Sequence, residues 1–209
     1  MSAHCHHHDA APDPNDPPGY RRVLWIALIV NFMMFAVEIG GGVASGSVSL
    51  LADAIDFFGD AANYGLSLAV LTLGAVWRAR SAMVKAASML VFGIAVLAKT
   101  VWAARQGVAP EALTMGIIGV LALAANVGVA ISLYAFRNGD ATMRSVWLCT
   151  RNDAVGNVAV MLAALGVFGT GTAWPDLAVA AVMSALAISA GWSVMRQARE
   201  ELAHNRVSA

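Results

Sequence analysis

Six apolar runs, at about residues 23–44, 49–76, 82–104, 112–136, 145–169 and 174–195, leave this chain little choice of architecture. Each supplies the roughly 20 residues that a helix needs to cross a hydrocarbon core about 30 Å thick. Backbone inside a bilayer must satisfy its own hydrogen bonds, and a continuous apolar run does so as an α-helix. The expected fold is therefore all-α, a polytopic membrane protein of six transmembrane helices joined by short connections. Composition agrees, with 59% hydrophobic and 12% charged residues and a mean hydropathy of +0.67, outside the balance of a water-soluble domain.

Breaks between the runs carry turn chemistry. Gly40-Gly41-Gly42 with Ser45-Gly46-Ser47 closes the first, Arg78 to Ser81 the second, and Gln106-Gly107 with Pro110 the third. Pro175 suits the first turn of the sixth helix. With both termini in the cytoplasm, Arg21, Arg22, Arg78, Arg80, Lys85, Arg137, Arg144, Arg196, Arg199 and Arg206 lie inside, and only Arg105 falls in an outer loop. The positive-inside rule selects that orientation. Lys99 and Arg151 fall within spans, and Glu38 is the expected partner of Lys99 in the outer half of the membrane.

Formal net charge is zero, so bulk electrostatics suggest no nucleic-acid partner. Residues 1–20 hold four prolines and the cluster His4, Cys5, His6, His7, His8, a composition that builds no core and reads as a disordered cytoplasmic tail. No apolar stretch follows a positive charge there, so it is not a signal peptide. The tail could collect metal ions, or could be a purification tag. Residues 21–196 form the expected transport domain and 197–209 a short cytoplasmic tail. Cys5 and Cys149 fall in the tail and in a span, which argues against a disulfide.

Against this apolar background, Asp53, Asp56 and Asp60 stand out in the second run. Near a membrane centre each ionised Asp costs roughly 2.5–3.5 kcal/mol, so a group of them calls for protons or a cation. At about 100° per residue all three share one helix face, with Asp56 and Asp60 about 6 Å apart along the axis. Ser49, Asn63 and Ser67 extend that face. In the fifth run Cys149, Asp153 and Asn157 recur every four residues. Counting from opposite membrane surfaces, Asp60 lies about 16 Å deep and Asp153 about 13 Å deep, so two antiparallel helices bring Asp56, Asp60, Cys149 and Asp153 to one level. Three oxygens and one sulfur suit a tetrahedral Zn²⁺, and the thiolate favours softer ions such as Cd²⁺.

The six spans, the stretch Ser45 to Ala54, the acids that follow it and the Asp of the fifth span resemble the cation diffusion facilitator family over residues 21–196. That resemblance implies that Asp56 and Asp60 form one ligand pair, that Asp153 ends the other, and that the activity is export of a divalent transition metal, Zn²⁺ or Cd²⁺ first, by exchange for protons. The transported metal is the only cofactor implied. Cys149 stands where most relatives have His. Relatives usually continue into a cytoplasmic dimerisation domain, so this chain reads as a short form whose homodimer would form through its membrane spans, in the lipid of a bacterial inner membrane. Asp53, one turn outward of Asp56, reads as a pathway or proton residue, and Asn63 and Asn157 as supports for the ligands. Two other classes use the same acids: an intramembrane metal-dependent enzyme, which would need a general base not evident outside the ligand set, and a cation channel.

Overall fold

A computed structural model describes residues 19–69, 75–136 and 141–207, except for the side chains of 75–79, 141–149, 151–152, 201 and 204–207. Six helices follow one another: α1 (Tyr20–Ser45), α2 (Val48–Ala69), α3 (Ala75–Gln106), α4 (Ala112–Tyr134), α5 (Ala141–Thr170) and α6 (Trp174–Val207). No strand occurs among the described residues. Five of the six are long and apolar enough to cross a membrane; α2 is the exception, because any span-length window of it contains Asp53, Asp56 and Asp60. The chain is an integral membrane protein built as a helical bundle.

The position of α2 compensates for its composition. It packs against α1, α3, α5 and α6, while α3 pairs with α6 and α4 with α5 around it. Every residue from Val48 to Ile55 is buried. Exposed apolar side chains such as Phe32, Ile94, Ile117, Leu165 and Phe168 face outward on the other helices, where lipid is the solvent.

The three glycines expected to end α1 stay inside it, and the helix runs on to Ser45, where Gly46 takes the left-handed conformation with φ 74°. The role of Gly41 and Gly42 is close approach, while Gly40 faces open space. A Cβ on Gly41 would meet the tip of the Ile118 side chain on α4, and one on Gly42 would sit 2.8 Å from Leu51 of α2. In lipid, where helices associate by packing and not by the hydrophobic effect, such contacts hold neighbours together.

The start of α2 is capped from two sources. The Ser47 hydroxyl accepts from the Leu50 N–H at 3.2 Å, a local cap. The Asp176 carboxylate, from the first turn of α6, accepts from Val48 N–H at 2.8 Å, Ser49 N–H at 3.0 Å and the Ser47 hydroxyl at 2.7 Å. Three N–H groups that a helix start leaves unsatisfied are thereby all bonded inside the protein. Glu111 N–H also donates to the Ser45 carbonyl at 2.9 Å, tying the approach to α4 to the end of α1. At the other end, α6 continues as helix beyond its apolar run to Val207.

Candidate metal centre

Polar side chains meet inside the bundle in two layers, about 10 Å apart along α2 by the seven residues between Asp53 and Asp60. In the inner layer the carboxyls of Asp60 on α2 and Asp153 on α5 face one another. Asp153 Oδ2 is buried and meets no hydrogen-bond donor. Two acceptors turned toward each other, one of them unsatisfied, form a stable arrangement only with a proton or a cation between them. Tyr64, one turn along from Asp60, places its hydroxyl 2.7 Å from that of Thr150 and donates a long bond, 3.5 Å, to Asp60 Oδ2. Thr150 and Tyr64 are buried and brace the acid pair from α5 and α2.

On the cytoplasmic side of this layer Lys85 of α3 donates to Asn63 Oδ1, and its charge acts on Asp60. Asn63 Oδ1 is thereby held by the lysine whose charge acts on Asp60. In the outer layer Asn126 Nδ2 donates to Asn157 Oδ1 at 2.8 Å, and Asn157 Nδ2 donates to Asp53 Oδ2 at 2.7 Å. Glu38 of α1, fully buried, faces Asp53. Asp56 lies between the layers, toward both Asp53 and Asp60.

The expected pairing of Glu38 with Lys99 does not form. α1 packs against α2 and α4, whereas Lys99 belongs to α3, which packs against α6 and α2, so the two side chains occupy different seams. Neither oxygen of Glu38 meets a donor among the described residues.

Among the described residues no three His, Cys, Asp or Glu side chains close into a coordination group. Convergence is pairwise, Asp60 with Asp153 and Asp53 with Glu38. Cys149 belongs to α5, but its side chain lies outside the described residues, as do His4, Cys5, His6, His7 and His8. Asn126, Tyr64, Thr150 and Lys85 were not anticipated at the site. Asn126 had a signal, being the only amide in a span without charge, and Tyr64 and Thr150 sit one helical turn from Asp60 and Asp153. Lys85 reads in sequence as a flanking charge and gives no hint that it turns inward.

A membrane bundle with carboxyl pairs stacked along one internal path is the framework of an ion-transport protein. The family follows from comparison. A family model for the cation efflux transmembrane domain matches residues 24–203, and the chain belongs to that family. Its relatives include the zinc transporter ZitB of Escherichia coli, 27% identical over 96% of this chain and 67% of that protein. The metal cation efflux system protein CzcD of Cupriavidus metallidurans is 23% identical over 93% of this chain and 63% of its own length. A cadmium, cobalt and zinc/H⁺-K⁺ antiporter of Bacillus subtilis is 20% identical over 84% and 61%. The chain thus spans about two thirds of the length of these relatives.

Proposed function

We propose that this chain exports divalent transition-metal cations from the cytoplasm in exchange for protons, with Zn²⁺ and Cd²⁺ as first substrates. Support comes from the names of its relatives and above all from one observation, the facing carboxyls of Asp60 and Asp153 with Asp153 Oδ2 unpartnered. In this reading Asp56, Asp60, Cys149 and Asp153 hold the metal. Tyr64 and Thr150 fix the direction of the acids, as partners of metal ligands commonly do.

Metal arriving from the cytoplasm displaces the protons that the acids carry when no metal is bound. Rocking of the helices about α2 exposes the ion outward, and protons rebinding from that side release it. Two copies would pair through their lipid-facing helices, and the histidines at the N-terminus would raise the local metal concentration without entering the translocation step.

Purified protein in sealed vesicles tests the proposal. Wild type should accumulate Zn²⁺ or Cd²⁺ only when a pH gradient is imposed. Asp60→Ala and Asp153→Ala should each lower uptake by more than about 100-fold, since even the outer partners of metal ligands contribute 10–100-fold. Uptake that ignores the gradient and rises without saturation would instead identify a channel. Full transport by either variant would remove the site.

A further inference from the structure

Glu38 belongs to no proposed ligand set, yet it is fully buried with both carboxyl oxygens unmatched by any donor among the described residues. The charged groups around it are all acidic. From α2 it meets Asp53 and, further off, Asp56. α4 carries no charged residue, and its Asn126 gives its amide to Asn157. On α1 itself Arg21 and Arg22 are about 24 Å away along the axis, and Lys99 lies on a helix that does not pack with α1. No described basic side chain therefore balances the pair.

Asp53 differs from Glu38 in one respect. Its Oδ2 already receives the Asn157 amide at 2.7 Å, and that amide is held in turn by Asn126. The bonding stabilises Asp53 as the charged member, and a proton on Glu38 would give the Glu38–Asp53 contact the donor that two ionised carboxylates cannot supply.

We propose that Glu38 carries an exchangeable proton, donated in a hydrogen bond to Asp53, which departs when a divalent cation occupies the acids inward of it. This rests on the transport reading above. Glu38 is not a ligand in it; the arriving charge favours the ionised carboxyl at a distance. The step is Glu38–COOH giving Glu38–COO⁻ and H⁺, with the proton lost to the cytoplasmic side as metal enters. It is regained from the outer side, to which Glu38 is seven residues from the end of its helix.

The test uses the full chain purified in detergent, with Glu38→Gln as an isosteric neutral variant. Proton release on Zn²⁺ binding is followed in weak buffer, and the infrared band of protonated carboxyl is followed in parallel. Wild type should lose such a band as Zn²⁺ binds. Glu38→Gln should lack that component and release about one proton fewer per metal, while its Zn²⁺ affinity at alkaline pH stays within about threefold of wild type. Asp53→Asn, whose amide can itself donate to Glu38, should abolish the same band. Equal proton release from wild type and Glu38→Gln would overturn the inference, as would a Zn²⁺ affinity lowered more than about tenfold at every pH, the mark of a ligand. If wild type binds no metal, the transport reading fails by itself. Glu38 is then judged on a pH titration of the metal-free protein, in which identical carboxyl bands in wild type and variant would refute it.

Discussion

Replacing Asp176 should loosen the helix that carries Asp56 and Asp60, although Asp176 itself is far from them. Its carboxylate accepts three hydrogen bonds, two from backbone N–H groups and one from the Ser47 hydroxyl, at 1% exposure. Hydrogen bonds to a charged group contribute about 1.5–3 kcal/mol each, partly offset by the cost of burying the charge. Asp176→Ala leaves Val48 N–H and Ser49 N–H without partners inside the bundle, and a net loss of about 3–5 kcal/mol follows. Asp176→Asn should cost less. One oxygen can keep Ser47 and Ser49, which both bond Oδ1, but the new amide then meets Val48 N–H donor to donor, an unmet bond costing about 1–3 kcal/mol. Equilibrium unfolding in mixed micelles, read by circular dichroism, measures both. An Asp176→Ala protein within about 0.5 kcal/mol of wild type, as expected for an inconsequential surface change, would refute the capping argument. So would an Asn variant as unstable as the Ala variant.

Two further predictions concern the cation site. Cys149→His should shift preference from Cd²⁺ toward Zn²⁺, and Cys149→Ser should lose more affinity for Cd²⁺ than for Mn²⁺, because sulfur matters most to the softer ion; competition binding at fixed pH that returns one Cd²⁺ to Mn²⁺ ratio for all three proteins excludes the thiolate as a ligand. Lys85→Met removes a positive charge that acts on Asp60, and metal binding should tighten by about tenfold, near 1.4 kcal/mol; calorimetry giving equal or weaker binding would show that Lys85 orders the site instead of opposing the incoming ion.

Run length and the positive-inside pattern made the bundle legible in the sequence, since a bilayer admits few alternatives to a long apolar helix. The shared face of Asp53, Asp56 and Asp60 was equally legible, because helical geometry alone creates it. Local turn chemistry held at Gly46, where α1 ends, and misled at Gly40 to Gly42, of which Gly41 and Gly42 serve instead to admit Ile118 and Leu51. Pairings across the bundle were the least legible. Glu38 and Lys99 are opposite in charge and similar in depth, but depth does not say which seam a helix joins, and α1 and α3 do not pack as a pair. Nor does any local pattern announce that Asp176 caps a helix 128 residues earlier, or that Lys85 turns toward Asn63.

The central place of α2 also bears on how the protein is made. Three aspartates cost on the order of 8–10 kcal/mol in lipid, so α2 cannot enter the bilayer by its own hydrophobicity as its neighbours can. It must go in as the second arm of a hairpin with α1, to which the Gly42–Leu51 contact fits it. The partners that satisfy it emerge from the ribosome much later: Thr150 and Asn157 with α5, and Asp176 with α6. Until then the nascent chain holds its acids and an uncapped helix start in the membrane. A chain that stops short of α6 has Asn157 in place for Asp53 but leaves the Val48 and Ser49 N–H groups without the carboxylate that accepts them.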